Sequence, residues 1–201
     1  MDNRNNGTQV LVDEFKKRWS AAGGHIFEAS GTDALGEAIG QAWQTLVGPP
    51  DNERNRSLVY WVNEDLRHLP WDVIFRGVGP ILAYPWDPEA DIRALTTAAD
   101  LGMTGCAWAV AETGTVALAA SKETGLLPSI LPAAHLVLIH RRQIVRTVRE
   151  GLLSLDHGVL PPILKLVTGP SMTADIEGTL VIGVHGPAKV GALLYDLPMP
   201  T

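Results

Sequence analysis

The segment AHLVLI at 134–139 is the sequence feature that most limits the possible folds. It has the length of one strand and is apolar almost throughout, without the alternation of apolar and polar residues that marks a half-exposed strand. Such a strand is typical of the centre of a parallel sheet that is covered on both faces. The segment therefore predicts an α/β fold with its sheet in the interior.

Other short apolar segments alternate with helical patterns along the chain. The predicted helices are 8–22, a segment from Thr32 or Asp33 to Leu46, a segment that begins at 87–88, and 142–155. The predicted strands are 25–29, 57–62, 72–75, 106–111, 115–119, 134–139, 163–168, 179–182 and 192–195. Strands that alternate with helices of this length predict a layered α/β protein with a mostly parallel sheet and helices on both faces.

Neither a repeat nor a linker divides the chain, so one domain is expected over residues 1–201. Within it, 1–50 forms an N-terminal helical part, and 57–196 forms the α/β core that carries the sequence motifs.

Composition and missing motifs exclude several classes of protein. Sixteen basic and 22 acidic residues give a formal charge of −6, so the chain lacks the positive surface typical of a nucleic-acid binder. With the single cysteine Cys106, it can form neither an internal disulfide nor an iron–sulfur cluster. The sequence contains no Walker A loop, dinucleotide fingerprint, H-E-x-x-H or C-x-x-C motif. We therefore expect no metal site and no cofactor in this chain. Because no signal-like or membrane-length apolar segment is present, we expect a cytoplasmic protein.

Three glycine-centred turns follow predicted strands, and the first is AETGT at 111–115. If it is buried between two strands, the carboxylate of Glu112 can act as nucleophile or base. Thr113 and Thr115 offer hydroxyl groups to a substrate, and Gly114 lets the backbone approach it closely. The alternative is a simple hairpin turn with Glu112 in solvent.

The second turn lies in TGPSMTADIE at 168–177. It begins where an apolar strand ends, and ligands of open α/β sheets gather at the carboxyl ends of strands. Gly169 would allow close approach, Ser171 and Thr173 would donate hydroxyl hydrogen bonds, and Asp175 would orient the substrate or move a proton. The alternative is a capped structural turn.

The third turn is GVHGP at 183–187. His185 is the candidate proton carrier, because imidazole titrates near neutral pH, and Gly186 would allow close backbone approach. The alternative is a tight turn with a surface histidine. By contrast, His135, His140 and Cys106 are interpreted as structural. Together, the three turns predict one shared site.

Two of these segments, 168–177 and 180–187 (LVIGVHGP), closely resemble the signature of the lactate utilization protein C family, also called LUD-domain proteins. The segments 102–115 and 131–139 also match the pattern of that family. The resemblance covers roughly residues 88–196.

The resemblance implies a three-layer α/β/α sandwich like that of the sugar-phosphate isomerase, deaminase and CoA-transferase superfamily. It also implies membership of a three-protein system that oxidises L-lactate to pyruvate. One partner in such a system resembles a cysteine-rich redox subunit, and another carries iron–sulfur clusters. The single cysteine of this chain agrees with that division, since the electron carriers would then lie in the partner subunits.

Two other functions stay open at this point. The first is a stand-alone enzyme that acts on a small anionic metabolite, because Glu112-Thr-Gly114 is similar to the Glu-x-Gly turn that supplies the nucleophile of CoA transferases. The second is a non-catalytic module that binds a ligand or regulates a partner.

Overall fold

The computed structural model describes residues 2–49, 56–78, 81–87, 89–121, 124–155, 161–174, 180–183 and 185–197. The helices are α1 (Asp2–Ala21), α2 (Thr32–Leu46), α3 (Trp71–Val78), α4 (Ile92–Ala98) and α5 (Val148–Leu153). The first six strands are β1 (His25–Ser30), β2 (Arg56–Tyr60), β3 (Ile81–Pro85), β4 (Leu101–Thr104), β5 (Trp108–Val110) and β6 (Thr115–Ala119). The next six are β7 (Ala134–His140), β8 (Ile144–Val145), β9 (Leu164–Val167), β10 (Met172–Ala174), β11 (Leu180–Ile182) and β12 (Lys189–Asp196).

Six of these strands form an all-parallel central sheet in the order β1-β12-β7-β4-β2-β3. Every residue of β7 is buried, and β7 lies between β12 and β4 in the interior of the sheet. The prediction of a mostly parallel sheet around the segment 134–139 is confirmed.

The two faces of β7 pack against different layers. Leu136 and Leu138 point into a core formed with α2 and α3, where Trp43 and Phe75 are buried. Val137 and Ile139 point into a second core formed with α1, β5 and β6. Because neighbouring side chains of a strand alternate between faces, a continuous apolar sequence is needed to fill both cores.

The second face differs from the sequence prediction, which placed helices on both faces. It is covered by α1 together with a four-stranded sheet in the order β8-β5-β6-β9. In this smaller sheet, β6 pairs antiparallel with β5 and β9, while β8 pairs parallel with β5. A separate antiparallel pair, β10 and β11, follows β9.

The strand predicted at 72–75 is wrong, because these residues belong to α3. Trp71 and Phe75 are four residues apart and therefore share one helix face, where both rings contact Tyr60. On the exposed face, Arg76 and Asp72 form an ion pair with an N–O distance of 2.7 Å. A short apolar run fits a strand and a buried helix turn equally well, so the spacing of the apolar residues at 72–75 does not distinguish the two.

The long helix predicted at 142–155 is also wrong. A 3-10 turn spans Arg141–Gln143, β8 follows it, and only α5 is α-helical. The side chain of Gln143 accepts a hydrogen bond from the His140 backbone N–H at 2.8 Å, which closes the 3-10 turn. Similarly, the helix predicted to begin at 87–88 begins at Ile92, where Asp91 caps it by accepting from the N–H of Ala94.

Across the described ranges, we found no helix that is both apolar enough and long enough to span a bilayer.

Candidate functional site

The second and third glycine-centred turns lie beside each other and line one cavity of about 230 Å³. The Ser171 backbone N–H donates to the Pro187 carbonyl at 3.0 Å, and the Gly183 N–H donates to the Ser171 carbonyl at 2.8 Å. These bonds hold the two turns against each other. The sequence-predicted residues that reach the cavity are Gly169, Ser171, His185 and Gly186.

The first turn is connected to the second through threonine hydroxyl groups but is not among the described residues that line the cavity. Thr113 Oγ1 donates to Thr115 Oγ1 at 2.8 Å, and Thr115 Oγ1 lies 2.7 Å from Thr168 Oγ1. The three turns are therefore neighbours, and two of them form the cavity.

Glu112 has the surroundings of a hairpin residue. Its side chain is exposed, its backbone N–H donates to the Arg146 carbonyl at 3.2 Å, and the Gly114 N–H closes the turn on the Val110 carbonyl at 3.0 Å. The buried environment that the nucleophile hypothesis assumed for Glu112 is not found, and its catalytic role stays a proposal.

Two of the predicted glycines make room for α1. Gly114 and Gly169 have φ of 64° and 76°, in the left-handed region that favours glycine. A Cβ on Gly114 would lie 2.5 Å from the backbone nitrogen of Trp19, and one on Gly169 would lie 2.3 Å from the carbonyl oxygen of Ala22. In both turns, the backbone approached closely is that of α1 or the residue that follows it.

The remaining predicted residues are distributed differently. His185 is exposed on the wall of the cavity, and Thr173 belongs to β10. Asp175 lies outside the described residues.

The sequence prediction assumed a site at the carboxyl edge of the parallel sheet. The cavity lies elsewhere. The strand before each turn belongs to a smaller sheet: β5 and β9 to the four-stranded sheet, and β11 to the two-stranded one. The cavity instead reaches His135 and Val190, near the amino ends of β7 and β12. The carboxyl-edge rule therefore does not apply to these strands.

Lys165 is a residue of the cavity that sequence reasoning missed. Its Nζ donates to the carbonyl oxygen of Ser129 at 2.7 Å and to Ser129 Oγ at 3.1 Å. Burial lowers the pKa of Lys165 to about 8 because the charged ammonium loses solvation. The available signal was one lysine inside the apolar strand segment 163–168.

His135 was interpreted as structural, and it also lines the cavity. It is buried, with Nε2 2.9 Å from Thr104 Oγ1. Burial and, second, the charge of Lys165 lower the pKa of His135 to about 3, so its imidazole is neutral at neutral pH. His140, five residues along the strand, lies on the opposite face of β7, where its ring packs edge-on against Tyr195 with centroids 5.1 Å apart.

A second polar cluster lies at the carboxyl edge of the central sheet. Tyr195 donates to Asp65 Oδ2 at 2.8 Å, and Asn63 Nδ2 donates to Gln143 Oε1 at 3.2 Å. Burial, reinforced by Asp65, raises the pKa of the Tyr195 hydroxyl. Burial also raises the pKa of the Cys106 thiol, as expected for a structural cysteine.

A search of the described part of the chain found no group of three histidine, cysteine or acidic side chains that could hold a metal ion.

The family model of the LUD domain matches residues 12–195 of the sequence, and the chain belongs to this family.

The chain is similar to proteins named lactate utilization protein C. It is 34% identical over 120 residues to the one from Bacillus licheniformis, which corresponds to 56% of this chain and 50% of that protein. It is 36% identical over 121 residues to the one from Macrococcus caseolyticus, corresponding to 57% and 52% of the two chains. The chain thus spans about half the length of these curated relatives.

A solved structure has the same fold. The crystal structure of a DUF162 family protein from Deinococcus radiodurans superimposes with a TM-score of 0.61 at 24% sequence identity. The match covers 94% of this chain and 98% of that one.

Proposed function

We propose that this chain acts in L-lactate utilization, as a component of a system that oxidises L-lactate to pyruvate. In this system, iron–sulfur partner subunits carry the electrons, and this chain, which holds no cofactor of its own, binds the small anionic substrate. We also propose that its fold belongs to the sugar-phosphate isomerase, deaminase and CoA-transferase superfamily.

One observation carries the proposal more than any other. In the two segments that resemble the lactate utilization signature, 168–177 and 180–187, residues 168–171 and 185–187 line a single cavity. With about 230 Å³, the cavity is smaller than the about 300–1,000 Å³ of pockets that bind drug-sized molecules. A metabolite with a few heavy atoms is a ligand of suitable size.

The sequence-derived roles are part of the proposal. Asp175 and His185 orient the substrate or move a proton, and Ser171 and Thr173 donate hydrogen bonds to it. The position of His185 supports this role, since it lines the cavity and is exposed to solvent. Glu112 is kept as a candidate base, although its side chain is exposed.

The proposal is tested by deleting the gene in its native host, in a background that lacks other L-lactate dehydrogenases. We expect growth on L-lactate to stop and growth on pyruvate to continue, because pyruvate lies after the proposed step. Complementation with the wild-type gene restores growth, while Asp175→Asn and His185→Gln variants made to the same protein level do not. Unchanged growth of the deletion strain on L-lactate would refute a role in lactate utilization.

The same strains separate the two views of Glu112. If Glu112 is a catalytic base, Glu112→Gln fails to restore growth although it folds normally. If Glu112 is a hairpin residue, the variant grows like wild type, and the proposed function stands without it.

A further inference from the structure

We propose that the cavity beside β9 binds the carboxylate group of a small 2-hydroxy or 2-oxo acid and that Lys165 is the cation that receives it. The ligand class rests on the proposed function. The anion-binding character of the cavity rests on its own geometry.

The charge distribution of the cavity favours an anion. Lys165 lines it, and none of the described residues that line it carries a carboxylate. The ion pairs found among the described residues do not include Lys165. Among the described residues no carboxylate pairs with this half-buried ammonium group, whose burial is costly, and an anionic ligand would supply the opposite charge.

Lys165 is also held in place before a ligand arrives. Its Nζ donates to the carbonyl oxygen and to the hydroxyl oxygen of Ser129. The Ser129 hydroxyl in turn donates to the Leu126 carbonyl at 2.7 Å, and Ser129 is buried. An ammonium group has three N–H donors, and the bonds to described residues use two of them, so we assign the third to a ligand oxygen. A fixed donor loses little side-chain entropy when it binds.

The other polar groups fit the rest of such a ligand. His135 is neutral because of its burial, so it adds no second positive charge and can exchange a hydrogen bond with a 2-hydroxyl or 2-oxo group. Ser171, which also lines the cavity, offers a further hydroxyl. A single cation with neutral hydrogen-bonding groups suits a monocarboxylate better than a phosphate dianion.

Ligand binding to the purified full-length chain provides the first test. Saturation-transfer NMR would follow the methyl protons of L-lactate and pyruvate, and inorganic phosphate and acetate would be added as competitors whose affinities follow from the loss of that signal. Three proteins are compared: wild type, Lys165→Met, and the matched control Lys17→Met, which removes an exposed lysine of α1. We expect L-lactate or pyruvate to bind to wild type and to the control, and affinity to fall at least tenfold in Lys165→Met.

Chemical labelling of the wild-type protein gives a second test that needs no variant. Acetylation of each lysine by acetic anhydride is followed by peptide mass spectrometry from pH 6 to 10. We expect Lys165 to acquire its label with a midpoint near pH 8 and to be protected by L-lactate or pyruvate, while labelling of Lys17 is unaffected by either.

Three results would overturn the assignment. They are equal affinity of Lys165→Met and wild type for these acids, labelling of Lys165 that no 2-hydroxy or 2-oxo acid reduces, and preferential binding of phosphate or acetate. Because these measurements use the isolated chain, they are independent of growth on lactate. A Lys165-dependent site for these acids in a protein whose deletion leaves growth intact would refute the proposed function and leave the binding site standing.

Discussion

Lys165 Nζ lies 2.7 Å from the carbonyl oxygen and 3.1 Å from the hydroxyl oxygen of Ser129, and these two hydrogen bonds join β9 to the chain segment that leads into β7. Through them, the small sheet is tied to the central sheet at the cavity. The same contacts fix an ammonium group in a place where burial disfavours its charge. Lys165 therefore holds the two sheets together and also places a positive charge at the proposed binding site.

The burial of Lys165 predicts a pH-dependent stability. Its pKa is about 8 in the folded chain against an ordinary value of 10.5, so the unfolded chain binds more protons between these two pH values. The free energy of unfolding therefore increases as pH rises from 8 toward 10.5, and the titration of Lys165 causes this increase. Urea unfolding of wild type and Lys165→Met at several pH values measures this contribution as a difference, with Lys17→Met as control. A wild-type minus Lys165→Met difference that does not change with pH would contradict it.

His135 predicts a second pH dependence, of the same sign but in the acid range. Its pKa is about 3 when folded and 6.5 ordinarily, so the unfolded chain binds the extra proton between these values. The free energy of unfolding should fall as pH decreases from 6.5 toward 3, and His135→Gln should flatten this dependence. Urea unfolding between pH 7 and 4 provides the measurement, and His68→Gln, at an exposed histidine, is the control. Identical pH profiles of His135→Gln and wild type would show that the imidazole is not held neutral.

Gly169 is predicted to be required for packing against the residue that follows α1. Gly169→Ala combines a φ of 76° with a Cβ only 2.3 Å from the Ala22 carbonyl oxygen. Gly31→Ala is a control for a positive φ without a close contact, since Gly31 has a φ of 93° and open space where the Cβ would lie. We expect about 1–3 kcal/mol of destabilisation at Gly31 from the backbone conformation alone, and a larger loss at Gly169, where the close contact adds to the strain. Equal losses in chemical denaturation would mean that the contact with Ala22 relaxes without cost.

The hydroxyl contact between Thr115 and Thr168 predicts energetic coupling of the first and second turns. Thr115 is 6% exposed, and its hydroxyl lies 2.7 Å from that of Thr168. Thr115→Val removes the hydroxyl that bonds to both Thr113 and Thr168 and should cost about 1–3 kcal/mol of unfolding free energy, the usual contribution of two such hydrogen bonds. In a double-mutant cycle with Thr168→Val, we expect a coupling energy of about 0.5–1 kcal/mol. Strict additivity of the two substitutions would mean that the turns are neighbours without being coupled.

The features predicted well from sequence depend on local pattern. Segment 134–139 indicated a strand covered on both faces because filling two cores requires apolar residues at every position, and β7 is such a strand. The run around Trp71 and Phe75 failed because both a strand and one helix face can bury residues at that spacing. The helix places both rings against Tyr60, a contact with a different part of the chain that the local pattern does not contain.

The candidate site was predictable only in part, for a related reason. Glycine and hydroxyl residues mark turns in any sequence, so the segments 168–177 and 183–187 could be found. The partner of Lys165 is 36 residues away along the chain, and the pairing arises from how the two sheets stack. A lone lysine in a strand gives no sign of whether it faces solvent or a cavity, so neither Lys165 nor Ser129 could be assigned to the site.

Growth on L-lactate of a strain whose chromosomal gene carries Lys165→Met tests the central claim most directly, because it joins the cavity to the proposed function. The strain lacks other L-lactate dehydrogenases, and a parallel strain carries Lys17→Met. We predict that Lys165→Met abolishes growth on L-lactate, leaves growth on pyruvate intact, and leaves the protein at its wild-type level, while Lys17→Met grows normally on both. Wild-type growth of the Lys165→Met strain on L-lactate would contradict the account.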